Sequence, residues 1–214
     1  MGGGALGGLF SLALIYLSKL MQSLLQKHRM LTVGGLGLAV ALIGFISHGL
    51  TYGSGYEAAK AIIMHQSNVQ VGLDYGPLKL LATLLTYLSG IPGGIFAPSL
   101  SAGAGFGQLF AHFFDPSFAD AAVLLCTIAY FSGVVQSPIT AFVIVLEMTN
   151  TATSNMLLPI MLTSVMASAV SKVICREPLY HALAARYFEM LKAPAAPDKQ
   201  HDLFNQEQKD SKEK

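Results

Sequence analysis

Ser89-Gly90-Ile91-Pro92-Gly93-Gly94-Ile95-Phe96-Ala97-Pro98 interrupts a chain of otherwise apolar runs, and the kind of fold that can hold such a break decides the rest. Its glycines let the backbone bend and approach a ligand closely, and Pro98 is tolerated early in a helix, where no amide hydrogen is required. The pattern predicts a helix beginning near Ile95. The N–H groups of its first turn, and the positive end of its dipole, would face whatever precedes them. At membrane depth the natural occupant is a small anion. A phosphate-cradling nucleotide loop is excluded, because the Gly-Lys-Ser/Thr ending is absent.

Outward from this break the apolar runs are short and punctuated. Leu78–Leu88 precedes it, and Ile95–Phe114, Ala119–Phe131 and Ile139–Met148 follow, the last behind Ser137-Pro138, where Ser137 is an expected N-cap. Tyr56–His65 follows Gly53-Ser54-Gly55. A ten-residue helix covers only ~15 Å, about half of the ~30 Å hydrocarbon layer. Helices of that length must end inside protein or at a polar cavity, since their terminal N–H and C=O groups find no partner in lipid. Broken helices of this kind point to an ion or substrate site in transporters, with kinked packing helices as the structural alternative. Gly103-x-x-x-Gly107 permits close helix packing. Leu6–Leu25, Met30–Ile46 and Asn155–Ile174 read as full spans.

Composition agrees with a membrane setting. The 214 residues are 53% hydrophobic and 12% charged, whereas soluble domains are about a quarter charged. Between Met30 and Ser171 the charges are Glu57, Lys60, Asp74, Lys79, Asp115, Asp120 and Glu147 alone, and Lys172–Lys214 is densely charged. Net charge +1, no Trp and no basic stripe leave nothing to neutralise a row of phosphates, which excludes nucleic acid as a partner. Cys126 and Cys175 read as small buried hydrophobes. His28, His48, His65, His112 and His181 show no metal-ligand spacing, and Gly-x-Ser-x-Gly and His-Glu-x-x-His are absent, so no enzyme, metal or cofactor is expected. The connector Gln26-Lys27-His28-Arg29, with Lys19 before it, marks a cytoplasmic loop, and Arg176, Arg186 and Lys192 place the C-terminus in the cytoplasm too. Met1–Leu25 has no basic region ahead of its apolar stretch and is not expected to be a signal peptide. From Ala193 the tail is too polar to bury and is expected to be disordered.

Three separated motifs then coincide with one family. Gly93-Gly94-Ile95-Phe96-Ala97-Pro98, the stretch from Gly133 through Ser137-Pro138-Ile139-Thr140-Ala141-Phe142-Val143-Ile144-Val145-Leu146-Glu147-Met148-Thr149, and Glu177-Pro178-Leu179-Tyr180 closely resemble the CLC chloride channels and proton/chloride antiporters. Gly53-Ser54-Gly55-Tyr56 is similar to a glycine-rich lead-in to an earlier helix of that family. The resemblance runs from about Leu6 to Leu191 and corresponds to the second half of the family's membrane domain. It implies an all-α, multi-span fold of full-length and re-entrant or half-length tilted helices, roughly seven to nine in number. Residues 1–192 would form the membrane part and 193–214 a cytoplasmic tail.

For the site, the resemblance implies that the amides of Ile95 and Phe96 and the hydroxyl of Tyr180 bind chloride, with Gly93, Gly94, Ala97 and Pro98 shaping the loop and helix start. The residues alone had put an anion before Ile95; they say less of Tyr180, which could equally be an interfacial aromatic. Ser89 looks like a chloride-binding serine of another family motif but aligns with the loop before Gly93, so that role is not carried over. The family's gating and proton-transfer glutamates belong to its first half, and no Gly-Lys/Arg-Glu-Gly-Pro motif occurs here. Glu147 reads as a capping or interfacial carboxylate rather than a substitute for them. The resemblance further implies a two-fold homodimer through the runs Ile139–Met148 and Leu157–Val173, chloride and lipid as partners, and a bacterial inner membrane, since the tail is too short for the nucleotide-binding modules of many eukaryotic relatives. Alternatives are a truncated chain that transports nothing and at most packs against other membrane proteins, and an unrelated transporter with re-entrant helices.

Overall fold

The computed structural model describes residues 2–64, 71–90, 93–113, 115–149, 156–176, 178–180 and 182–184; the tail expected from Ala193 onward lies outside them. Among the described residues the chain forms no strand. Its helices are α1 (Gly2–Lys27), α2 (Arg29–Ile46), α3 (Tyr56–Ile63), α4 (Tyr75–Leu88), α5 (Phe96–Ala111), α6 (Pro116–Val135), α7 (Pro138–Thr149) and α8 (Leu157–Ile174). Met1–Leu179 is one compact unit holding all of these, and Tyr180–Lys214 is a second.

The core is built around α6. Val123, Leu124, Ile128, Ala129, Tyr130, Phe131 and Val134 are all buried, and α6 packs against α5, α1 and α8. Glycine is a poor helix former, by about 1 kcal/mol relative to alanine, yet α1 opens with several. Close contact is the reason: a Cβ at Gly7 would sit 2.5 Å from the Tyr130 carbonyl oxygen of α6, and one at Gly4 would sit 2.7 Å from Ala167 Cα of α8. The expected Gly103-x-x-x-Gly107 contact has the same cause, since a Cβ at Gly107 would lie 2.7 Å from the Val123 oxygen. On its other side α5 meets α4, where Gly105 and Gly76 face each other and a Cβ at Gly105 would fall 2.5 Å from Gly76 Cα. Backbones this close gain dispersion contact along their length, the usual means of helix association in lipid.

Among the described residues, three helices are long and apolar enough to cross a membrane: Gly2–Met21, Phe118–Val135 and Leu157–Ile174. The first and third match the expected spans. The run expected as Met30–Ile46 is helical as α2 but belongs with the shorter apolar helices. The second differs more: the run expected as Ala119–Phe131 continues to Val135, with Ser132 and Gly133 inside the helix. Both residues stay helical because each has a packing role. Ser132 Oγ donates to the Ser164 carbonyl at 2.7 Å, and Gly133 allows α1 to approach, its notional Cβ being 2.8 Å from the Gly4 oxygen. The helix ends at Gln136, which adopts the left-handed conformation (φ 56°) and returns its N–H to the Ser132 carbonyl. Pro138 then starts α7, and the Ser137 carbonyl accepts the first bond of the new helix, from Ala141 N–H at 3.0 Å.

Candidate functional site

The start of α5 is the place where sequence, chain path and electrostatics meet. α4 ends at Ser89, whose N–H returns to the Leu85 carbonyl and whose hydroxyl donates to the Thr86 carbonyl at 2.6 Å. That hydroxyl proton is therefore engaged at the end of α4. Gly90 turns the chain with φ 77°, a conformation that glycine adopts without strain. Ile91 and Pro92 lie outside the described residues. Gly93 and Gly94 are exposed, and a Cβ at Gly94 would meet nothing within 4 Å. The Tyr87 hydroxyl donates to the Gly93 carbonyl, which anchors the loop to α4.

α5 begins immediately afterwards. Ile95 is its N-cap, 2% exposed, and accepts the first helical bond from Ser99 N–H at 3.0 Å. The Phe96 ring packs on Phe131 of α6, centroids 5.7 Å apart and planes at 60°. Ala97 and Pro98 are half-buried, and the helix behind them is buried without interruption from Ser99 to Gly107. The first-turn amides of such a helix have no partner within it, and the positive end of its dipole lies behind them. The residues expected from sequence at this end, Gly93, Gly94, Ile95, Phe96, Ala97 and Pro98, are thus brought together. Tyr180 is the first residue of the second unit.

Two polar features were not legible beforehand as parts of one structure. Lys79 is 2% exposed in α4, and its Nζ donates to the carbonyls of Thr51 and Gly53 at 2.8 Å each. Among the described residues no carboxylate pairs with it. Beside it the hydroxyls of Tyr75 and Ser101 hydrogen-bond at 2.5 Å, and Gly55 leaves room for all three side chains: a Cβ there would lie 2.8 Å from Lys79 Cε. The signal available in the sequence was a lone cation within an apolar helix, itself a functional candidate by default. The second feature is a serine seam between α6 and α8, formed by Ser132, Ser164, Ser171 and Gln136. Glu147 is exposed near the end of α7. A cleft of about 400 Å³ lined by residues including Ser47, His48, Gly72 and Asp74 involves none of the expected anion-site residues. No cluster of His, Cys, Asp and Glu suited to a metal ion occurs among the described residues.

Comparison with known proteins accords with this geometry. The family model described as voltage gated chloride channel matches residues 1–172. The H(+)/Cl(-) exchange transporter ClcA of Vibrio campbellii is 32% identical over 197 residues, covering 86% of this chain and 34% of the relative. ClcA of Yersinia pestis bv. Antiqua (strain Angola) is 30% identical over 164 residues, covering 74% of this chain and 34% of the relative. The chain thus spans about a third of the length of these curated relatives. With a family model matched over most of its length, and the helix start of α5 falling within that match, the chain belongs to the voltage-gated chloride channel, or CLC, family.

Proposed function

We propose that this chain is part of a protein that carries chloride across a membrane, as a CLC-type channel or proton/chloride antiporter. The observation that supports this reading is the start of α5, where the exposed Gly93-Gly94 loop leads into a helix buried from Ser99 to Gly107, so that first-turn amides such as those of Ile95 and Phe96 are available to an anion. Several partial charges would share the dehydrated anion there. A fixed cation in their place would hold it too tightly for passage. Tyr180 is proposed as the hydroxyl donor that completes the coordination, and Gly93, Gly94, Ala97 and Pro98 as the residues that shape the loop. No catalysis, metal or organic cofactor enters this scheme. Two copies are proposed to associate through α7 and α8 in a bacterial inner membrane, with the C-terminus in the cytoplasm. The names of the ClcA relatives support coupling to protons.

The test uses liposomes containing the chain alone, or a chimera in which it replaces the aligned segment of Vibrio campbellii ClcA. The chimera is expected to release chloride, and opposing proton movement distinguishes exchange from passive conduction. A folded chimera that moves no chloride, beside an active ClcA control, contradicts the proposal. Release by the chain alone would show that the rest of ClcA is dispensable. Tyr180→Phe and Tyr180→Ala are expected to lower chloride occupancy and loosen any proton coupling; unchanged occupancy and coupling in both would remove Tyr180 from the site.

A further inference from the structure

The cleft between the end of α2 and the start of α4 has a chemistry of its own. At about 400 Å³ it lies in the lower part of the usual range for small-molecule sites, roughly 300–1,000 Å³. Its walls combine Ile46, Leu50, Val71 and Leu78 with two ionisable side chains, His48 and Asp74. Ser47 borders it too, but that residue is buried and its hydroxyl is held by the Gly44 carbonyl at 3.1 Å and by Thr51 Oγ1 at 2.8 Å. His48 and Asp74 are exposed, and among the described residues neither side chain makes a hydrogen bond or ion pair. Asp74 stands at the N-cap position of α4 yet makes no capping bond with its side chain, so its carboxylate can accept from a ligand.

The cleft is continuous with a greasy surface. α2 starts directly after Lys27 and His28, and 18 helical residues rise about 27 Å, close to the ~30 Å of hydrocarbon in a bilayer. With the basic connector at one interface, Ser47 and His48 reach the headgroup level of the other. Leu38, Leu42, Phe45 and Ile46, spaced i, i+4, i+7 and i+8, form one stripe on α2 that is 54–83% exposed. The stripe ends in the cleft, because Ile46 belongs to both.

We propose that this cleft binds the headgroup of an ethanolamine phospholipid, with an acyl chain lying along the α2 stripe. The lipid ammonium donates to the Asp74 carboxylate. The imidazole of His48, which carries an N–H in either protonation state, donates to the phosphate. Ethanolamine is favoured over choline because a primary ammonium brings N–H donors to the carboxylate. A quaternary ammonium is instead suited to an aromatic cage, and the aromatic side chain bordering this cleft, Tyr75, is 2% exposed with its hydroxyl bonded to Ser101. A glycerol headgroup offers Asp74 no cation. None of these residues belongs to the proposed chloride site, so lipid binding is tested independently of it.

The chain has no Trp, so Leu38→Trp places a single fluorophore on the stripe, about 12 Å along the helix from Ile46. The full chain is reconstituted in phosphatidylcholine liposomes, and quenching is followed as phosphatidylethanolamine, phosphatidylcholine or phosphatidylglycerol with brominated acyl chains is added. Relative affinity at this Trp is expected to favour the ethanolamine lipid over the other two by about tenfold, the scale of one hydrogen bond to a charged group. Leu20→Trp, at an α1 residue 62% exposed, should show no preference, as for bulk lipid. In the Leu38→Trp background, Asp74→Asn keeps a favoured N-cap residue and should abolish the preference. His48→Asp accepts the left-handed φ of 52° and sets a carboxylate against the phosphate, so it should abolish the preference too. Glu57→Gln removes an exposed carboxylate of α3 outside the cleft and should leave the preference intact. No ethanolamine preference at Leu38→Trp, an equal one at Leu20→Trp, or one that survives Asp74→Asn with parent helicity overturns the lipid site. An equal loss in Glu57→Gln overturns it as well, by reducing the effect to overall charge. Quenching by all three lipids at Leu20→Trp but by none at Leu38→Trp would assign the stripe to a protein partner and overturn the lipid reading.

Discussion

The main chain and side chain of Ile95 have separable roles, which makes it the sharpest residue at which to test the proposed anion site. Its side chain is 2% exposed, so truncation to alanine leaves a cavity and costs about 2–5 kcal/mol. Its amide is one of the two proposed ligands. The N-cap φ of −85° lies near the proline value of about −65°, the preceding residue is glycine, and the Ile95 carbonyl bond to Ser99 survives substitution. Ile95→Pro therefore removes the N–H while keeping more apolar volume than Ile95→Ala. If burial alone matters, alanine is the more damaging change; if the amide holds chloride, proline is. The expected result, by calorimetry on the chimera, is chloride affinity at least about tenfold weaker in Ile95→Pro than in Ile95→Ala, the worth of one hydrogen bond to a charged group. Equal affinities would remove the Ile95 amide from the site. This position could be found from sequence because Gly93-Gly94 and Pro98 bracket it and each constrains the backbone in a known way.

Between elements, the buried Lys79 joins α4 to the connection before α3. Its ammonium is met by two carbonyls, from Thr51 and Gly53, so Lys79→Met would leave both without this donor in a buried setting. Hydrogen bonds to charged groups contribute about 1.5–3 kcal/mol each. Part of that is recovered by no longer burying a charge, and a net loss of about 2–3 kcal/mol should lower the melting temperature of the much longer chimera in detergent by about 2–3 °C. A Lys79→Met chimera that melts with the parent would show that the bonds stabilise nothing. Sequence could not supply this junction, since the acceptors are main-chain carbonyls in a glycine-rich loop and carry no residue signature. The same limit applied at Ser132-Gly133, which fell beyond the expected run Ala119–Phe131. A serine and a glycine end a helix in water, yet between packed helices they supply an interhelical hydrogen bond and close approach. Elements bounded by strong punctuation, such as the start of α5, were legible; a helix kept continuous by its neighbours, such as α6, was not.

At the scale of the molecule, two of the exposed apolar faces, on α2 and on α7 with α8, are ones that partners of different kinds would cover. On α2, Met30, Leu31, Leu38, Leu42 and Phe45 are exposed; on α7 and α8, Ile139, Val143, Leu158, Leu162 and Val165 are. Hydropathy marks both as greasy, and so the sequence could not by itself assign lipid to one and protein to the other; only the family resemblance singled out α7 and α8. A two-fold interface brings one patch against itself, so a residue near the axis meets its own copy. With Cys126, Cys175 and the ClcA thiols replaced, a single cysteine at Leu162, 57% exposed on α8, should form a disulfide-linked dimer in membranes under mild oxidation. The matching control at Leu38, 65% exposed on α2, should remain monomeric, because exposure and lipid setting are similar and only the proposed interface differs. Equal crosslinking at both positions would reveal random collision. Monomers alone at Leu162, with the chimera folded and conducting chloride, would reject the α7–α8 dimer while leaving the anion site intact.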